Sequence, residues 1–145
     1  MNRPAGVLPE AFAQIAPDPV SEPFWAAARA HRLVCQRCGA CGARRLPPVP
    51  LCHVCRSFDV EWETLSGMGR IYSYTVVRSS PVPALAADVP YVIAVVALDD
   101  APGVRLVTNV VGGDVDDVVV DAPVAVVWDD VSDTVTIPRF ALVRG

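Results

Sequence analysis

The sequence predicts a mainly β fold in which one N-terminal helix and a compact four-cysteine module precede a five-stranded barrel. Three observations support this prediction. The chain has 145 residues, 52% hydrophobic and 19% charged, which is typical of one or two small globular domains. All five cysteines lie between residues 35 and 55. From Gly67 onward, segments rich in β-branched and aromatic residues alternate with turn-forming residues.

The two halves of the chain differ in charge, which indicates two modules. Residues 1–80 contain nine arginines and six acidic residues, whereas residues 81–145 contain three arginines and ten acidic residues. The resulting charges, +3 and −7, argue against a nucleic-acid groove in the second half. We predict an irregular N-terminal arm over residues 1–20, a helix plus metal module over residues 21–62, and a barrel over residues 63–145.

The first regular element is predicted directly after the proline-rich arm. Ser21 precedes Glu22 and Pro23, a pattern typical of a helix start with serine as the N-cap and proline in the first turn. The helix is expected over residues 22–30. Phe24 and Trp25 are then available as core anchors.

The cysteine spacing predicts a metal site. Four cysteines form the pattern C-x2-C-x10-C-x2-C, namely Cys38, Cys41, Cys52 and Cys55. Each C-x2-C turn brings two thiolates to one ion, and Gly42 relieves backbone strain just after the first pair. Four sulfurs in a tetrahedron suit Zn²⁺ and leave no open position for water. The sequence therefore predicts a structural zinc ion and no catalytic metal.

Three alternatives accompany this assignment. Cys35 and Cys38 also form a C-x2-C pair followed by glycine, so spacing alone does not decide which pair comes first. We favour Cys38 with Cys41, because residues 33–35 read as a strand that would bury Cys35 as a small apolar core residue. His53 lies inside the second pair and is an alternative ligand to a sulfur. Iron in a redox site is the alternative to zinc.

The cysteine module carries arginines and no acidic residue between residues 32 and 56. The arginines are Arg32, Arg37, Arg44, Arg45 and Arg56. They predict either an anion site for phosphate or nucleic acid, or simple compensation of the charge of a zinc–tetrathiolate centre.

Five strands separated by turn signals are predicted in the second half, over residues 69–77, 91–98, 104–111, 123–128 and 134–140. Residues 112–118 separate the third and fourth strands and are expected to hold a short helical turn. Five antiparallel strands with a small insert there fit the OB-fold, and an SH3-like barrel is the alternative. The long apolar runs indicate that the outer face is covered by the helix or by another protein chain.

Catalytic motifs are absent from the sequence. His31 and His53 are the only histidines, and no G-x-S-x-G, G-x-x-x-x-G-K or G-x-G-x-x-G motif occurs. No apolar run approaches the ~20 residues that span a bilayer, and residues 1–7 contain no apolar secretory segment. We therefore expect a cytoplasmic protein without catalytic residues of its own.

The order of segments resembles a known family. It is carried by FWAAARAHRLV, CGACG, PPVPLCHVC, GMGRIYSYTVV, PYVIAVVAL, LVTNVVG and VWDD…TIPRF. This order resembles the OB-fold acyl-CoA-associated proteins, in which a rubredoxin-like zinc ribbon precedes the barrel, and the resemblance covers residues 21–141. It implies that Cys38, Cys41, Cys52 and Cys55 bind zinc and that Cys35 lies outside the metal shell.

The resemblance also implies a function. Members of that family are accessory subunits of thiolase-like enzymes or are fused to hydratase-like domains. It implies a hetero-oligomer in which a thiolase-like or lipid-transfer-type aldolase partner holds the catalytic residues and binds most of the acyl-CoA. The expected partner is a retro-aldol enzyme of steroid side-chain degradation.

Two other functions compete with this one. Zinc ribbons and OB-folds bind nucleic acid in other proteins, and Tyr72, Tyr74 and the arginines of the cysteine module would supply stacking and phosphate contacts. The second is a small electron carrier that holds iron in place of zinc.

Overall fold

The structure is a computed structural model that describes residues 14–145. Those residues form one α-helix and eight β-strands: α1 Glu22–Arg29, β1 Val34–Cys38, β2 Arg44–Arg45, β3 Val60–Thr64, β4 Met68–Val77, β5 Tyr91–Leu98, β6 Arg105–Val110, β7 Pro123–Asp130 and β8 Thr136–Leu142. Residues 1–13, most of the predicted arm, lie outside the described residues. In the part of the chain that is described, no helix is long and apolar enough to cross a membrane.

The helix begins as predicted at Glu22, and Ser21 occupies the predicted N-cap position. The Ser21 side chain makes no capping hydrogen bond, however, and its backbone is already helical. The Asp18 carboxylate accepts from the Ser21 N–H at 2.7 Å, while the Asp18 N–H donates to Ser21 Oγ at 3.2 Å. The hydrogen bond from the Ser21 N–H lowers the pKa of Asp18. Asp18 can make this contact because it lies three residues before Ser21, which is the spacing of the reciprocal hydrogen bonds in a capping box.

The first sheet holds the cysteine module together. β1 lies in the centre and pairs antiparallel with β2 on one side and β3 on the other. Glu63 and Thr64 still pair with β1, so β3 extends past the predicted boundary at residue 62. The division of the chain into modules stays a prediction.

The second sheet is a closed barrel with the strand order β4-β5-β6-β8-β7. All five predicted strands are present, with ends shifted by no more than two residues. A single 3-10 turn, Val115–Asp117, lies in the predicted insert between β6 and β7. The mainly β class and the OB-fold are thereby confirmed, because β6 and β8 close the barrel as a parallel pair.

The barrel interior follows the two-residue period of its strands. On β5, Val92, Ala94, Val96 and Leu98 are buried, while the residues between them are more exposed. β4 approaches β5 closely at Gly69, where a Cβ atom would lie 2.6 Å from the Ala97 carbonyl oxygen. Only glycine fits that crossing without moving backbone.

A buried polar network links four barrel strands, β5 to β8. Asp129 on β7 is fully buried, and Arg139 on β8 is 6% exposed. Arg139 Nε and Nη2 each lie 3.4 Å from Asp129 Oδ2, and Arg139 Nη1 donates to Asn109 Oδ1 at 2.6 Å. Asn109 Nδ2 donates to the Val92 carbonyl at 2.9 Å. The charge of Arg139 is therefore balanced inside the fold.

The helix end is fastened to the barrel by His31. Its ring stacks on Trp128 with centroids 5.5 Å apart and planes 2° apart. His31 Nε2 lies 2.9 Å from Asp130 Oδ1, which also accepts from Thr136 Oγ1 at 2.7 Å. These contacts join the segment between α1 and β1 to β7 and β8.

We expect Asp130→Asn to weaken this junction in a pH-dependent way. Hydrogen bonds from His31, and then from Thr136, lower the pKa of Asp130 below its ordinary value. A lowered carboxyl pKa stabilises the fold above the unfolded value of about 3.9, and this gain is lost as the pH falls through the folded value. The pair is partly exposed, so the expected cost at pH 6 is only ~0.2–1 kcal/mol. Urea unfolding of both proteins at pH 6 and pH 3 measures it, and an equal cost at both pH values would contradict the linkage.

Candidate metal centre

Two turns of similar geometry present the four clustered cysteines. After the first pair, the Gly42 N–H donates to the Cys38 carbonyl at 2.9 Å, and Gly42 has a φ of 79°. After the second pair, the Arg56 N–H donates to the Cys52 carbonyl at 3.0 Å, and Arg56 has a φ of 63°. The strain relief predicted for Gly42 is confirmed. Arg56 occupies the same left-handed conformation without the freedom of glycine.

The turns bring four sulfur atoms together. The Sγ atoms of Cys38, Cys41, Cys52 and Cys55 all lie within 4.8 Å of one another. Cys38 Sγ is 3.5 Å from Cys55 Sγ, and Cys41 Sγ is 3.6 Å from Cys52 Sγ. A tetrahedron with Zn–S bonds of about 2.3 Å has sulfur–sulfur edges of about 3.8 Å. The spacing of the four sulfurs fits such an ion.

Backbone N–H groups of the turns donate to two of these sulfurs. The Cys41 N–H lies 3.5 Å from Cys38 Sγ, and the Val54 N–H lies 3.4 Å from Cys52 Sγ. The N–H groups of Cys55 and Val54 lower the pKa of Cys52 to about 6. The N–H of Cys41 likewise lowers the pKa of Cys38. Both sulfurs are thus prepared to act as thiolates.

The fourth sulfur shows why the cluster favours a cation. The Ser57 N–H lowers the pKa of Cys55, but hydrogen bonds with Cys38, Cys41 and Cys52 outweigh it and raise the pKa to about 12. Four sulfurs at this spacing repel one another as thiolates unless a cation compensates their charge. The donor set therefore fits a metal ion better than it fits four free thiols.

The two alternative ligands lie outside the cluster. Cys35 is fully buried in the hydrophobic core beside Val34 and Leu65. Burial, followed by the charge of Glu63, raises the pKa of the Cys35 thiol to about 11, so it stays protonated. His53 is exposed and is not part of the four-sulfur group.

Acidic residues from β3 face the arginines of the module. Arg44 Nε and Nη2 donate to the Glu63 carboxylate at 2.6 and 3.1 Å, and Arg37 Nη1 lies 3.4 Å from Glu61 Oε2. Arg45 is 5% exposed. Sequence reasoning missed these pairs, because the acids lie beyond residue 56. Only the registers of β1 with β2 and with β3 bring them close to the arginines. These pairings weigh against a continuous phosphate-binding surface.

Exposed apolar side chains gather at two depressions of the surface. The ribbon groove, of about 250 Å³, is lined in part by Pro19, Phe58, Val60 and Trp62. Phe58 is 75% exposed. The second depression lies on the barrel around β6 and includes Val107, which is 69% exposed. Apolar surface of this kind marks binding sites more often than inert surface.

The fold and the four-sulfur cluster define a protein of the zinc-ribbon and OB-fold class. The family described as "ChsH2, rubredoxin-like zinc ribbon domain" matches residues 25–61, and "ChsH2, C-terminal OB-fold domain" matches residues 62–129. The chain belongs to this ChsH2 family.

One solved structure and two curated proteins illustrate the relationship. The structure "Ltp2-ChsH2(DUF35) aldolase" has a TM-score of 0.79 and 38% identity over 89% of this chain and 98% of that chain. A "Probable enoyl-CoA hydratase alpha subunit" of Thermomonospora curvata is 44% identical over 81% of this chain and 36% of its own length. A "3-oxo-4,17-pregnadiene-20-carboxyl-CoA hydratase alpha subunit" of Mycobacterium tuberculosis is 32% identical over 90% of this chain and 43% of its own length. The chain thus spans less than half the length of each of these two curated relatives.

Proposed function

We propose that this chain is a non-catalytic accessory subunit that binds and stabilises a thiolase-like partner acting on acyl-CoA. The partner we propose is a retro-aldol enzyme of steroid side-chain degradation. The observation that carries the proposal is the match to the aldolase chain, because it extends over 98% of that chain at 38% identity. The names of the two curated relatives, both alpha subunits of CoA-ester hydratases, support the substrate class.

We propose that the catalytic residues belong to the partner. In residues 14–145, the group of cysteine, histidine and acidic side chains close enough to hold a metal is the four-cysteine cluster. Both histidines lie away from any nucleophile motif, and His31 is engaged with Asp130. The cytoplasm, where thiols remain reduced, suits a chain whose five cysteines are all free of disulfides.

We propose that Cys38, Cys41, Cys52 and Cys55 hold one Zn²⁺ ion with a structural role. The ion would supply a fixed tetrahedral crosslink between the two turns. The chain's own residues supply the rest: four sulfurs at matching spacing, and backbone N–H groups that hold two of them as thiolates. A fourth sulfur leaves no coordination position for substrate, so the ion orders the ribbon and takes no part in the reaction.

Co-expression tests the proposed function. This chain, carrying an affinity tag, is produced together with a candidate thiolase-like partner from the same organism. We expect a stoichiometric complex that cleaves a β-hydroxyacyl-CoA, while each chain alone is inactive. Cleavage by this chain alone, or the recovery of a stable monomer with no associated chain, would overturn the proposal.

Matched surface variants sharpen this test. Phe58→Asp places a charge on the most exposed large apolar side chain among the described residues. We expect it to lower partner recovery at least ~10-fold, because exposed aromatic anchors dominate binding energy. Val120→Asp, at a valine 61% exposed outside both depressions, is the control and should leave recovery unchanged. Equal recovery with both variants would remove the ribbon groove from the interface.

A further inference from the structure

β6 and β8 close the barrel through a single residue pair, which leaves an opening in the hydrogen-bonded wall beyond it. These two strands pair only at Val110 with Phe140. Further along, toward Leu106 and Ile137, no ladder joins them, and Thr108 Oγ1 instead donates to the Pro138 carbonyl at 2.9 Å. Proline has no N–H to offer a ladder. The opening is therefore built into the sequence of β8.

A cavity of about 370 Å³ fills this opening and continues toward the helix and the cysteine module. Phe24 and Trp25 of α1 form one wall, with their rings in an edge-to-face arrangement at 5.1 Å and 87°. The opposite walls include Pro47, Pro48 and Pro138. Rings and prolines have few rotatable bonds, so the walls are stiff and the cavity is largely preformed.

The cavity offers no free charge to a ligand. Among residues 14–145, Arg139 is the one charged residue in its lining, and its guanidinium already contacts Asn109 at 2.6 Å and Asp129 at 3.4 Å. The opening also disfavours an added β-strand, because Pro138 lacks an N–H and its carbonyl is engaged by Thr108. These features select an uncharged, apolar occupant.

The cavity adjoins a second hollow. That hollow, of about 220 Å³, has Tyr91 and Ile93 in its lining. The two hollows share Val107, Thr108 and Arg139 in their linings. Between stiff walls, a rigid body loses less conformational entropy on binding than a flexible chain does.

We propose that this cavity binds the uncharged, rigid polycyclic hydrocarbon part of an acyl group. The inference rests on the proposed function, because a polycyclic acyl-CoA would be supplied by that pathway; one curated relative is named for a steroid acyl-CoA. The phosphates of CoA stay outside, since the lining gives them no free cation. The accessory chain would then help to select the acyl group of the partner's substrate.

Equilibrium dialysis of the 145-residue chain against 4-androstene-3,17-dione, an uncharged four-ring steroid, tests the proposal. We expect saturable 1:1 binding, and weaker binding of dodecanol, a flexible apolar chain. Trp25 fluorescence should change in parallel, because Trp25 lines the cavity. Absence of saturable binding, or equal affinity for dodecanol, would overturn the proposal.

Variants that place a larger side chain in the cavity test whether the dione binds there. Ile137→Phe adds a ring to the cavity from β8, and Val107→Phe adds one at the junction of the hollows, where the native side chain is 69% exposed and tolerates bulk. Both should weaken dione binding at least ~10-fold. Val60→Phe makes the same kind of change in the ribbon groove and should leave binding unchanged. Equal binding by the filled variants would refute this location.

The result is independent of the co-expression test. If the partner co-purifies but the dione does not bind, the cavity proposal fails and the accessory function stands. If the dione binds but no partner co-purifies, the accessory function fails and the binding site stands. If Ile137→Phe blocks partner recovery and the unaltered chain does not bind the dione, the cavity is a protein interface and the proposal is overturned.

Discussion

Asp129→Ala is expected to lower the free energy of unfolding by about 3–5 kcal/mol. Asp129 is fully buried, and its partner Arg139 is 6% exposed. Removal of the carboxylate takes away a buried counterion of the guanidinium, and the neutral Asn109, whose Oδ1 accepts from Arg139 Nη1 at 2.6 Å, does not replace its charge. A buried charge keeps the free-energy cost of its desolvation when its counterion is removed, but it loses the electrostatic attraction that offset this cost. Urea unfolding monitored by circular dichroism measures the change.

Two further variants separate this effect from simple loss of contacts. Asp129→Ala combined with Arg139→Met removes both charges and should recover part of the stability, because no uncompensated buried charge remains. The recovery is incomplete because Asn109 Oδ1 loses the hydrogen bond from Arg139. Asp117→Ala breaks an ion pair with Arg144 that is shorter, at 2.7 Å, but exposed. It should cost less than about 0.5 kcal/mol. If Asp129→Ala lowered the free energy of unfolding no more than Asp117→Ala did, burial would not determine how much the Asp129–Arg139 ion pair contributes to stability.

Cys52→Ser is expected to abolish metal binding and to unfold the cysteine module. Cys52 is fully buried, and its backbone receives the N–H of Arg56 at 3.0 Å in the second turn. Serine oxygen is a poor ligand for zinc, and three sulfurs do not close a tetrahedral site. The zinc content, measured by mass spectrometry, should fall from about one ion per chain to near zero. The β1–β3 sheet should then lose its amide-exchange protection while the barrel keeps its own.

Cys35→Ala is the matched control for that experiment. Cys35 is equally buried and lies three residues before Cys38, but its sulfur is outside the four-sulfur group. The variant should keep about one zinc ion per chain, with only the stability loss of a small core truncation. Loss of zinc on Cys35→Ala would contradict the proposed ligand set and reopen the pairing of Cys35 with Cys38.

The start of α1 shows how much local sequence patterns can predict. The sequence correctly places the beginning of α1 at Glu22, because proline in a first turn and a preceding serine are local signals. It also places Ser21 at the N-cap position, but it does not predict that the Asp18 carboxylate, and not the serine side chain, makes the hydrogen bond at this helix start. Only the backbone conformation decides that Asp18 accepts and Ser21 donates.

The sequence by itself determined the start of the helix, the five barrel strands and the two favoured cysteine pairs, although spacing alone left Cys35 with Cys38 open as an alternative. Each of these depends on residues close together in the chain: alternating apolar residues, turn formers, or cysteines three positions apart. These local patterns do not depend on long-range contacts, so they can be recognised in the sequence without a structure.

Only the tertiary structure decided which distant residues meet. Asp129 with Arg139 and Asn109, His31 with Asp130, and the opening between β6 and β8 all depend on register and barrel closure. A shift of one residue in a strand moves every side chain to the opposite face. The composition of two strands does not fix that register, which follows from the packing of the whole core. The charge balance of the barrel and the cavity beside it are therefore properties of the closed fold.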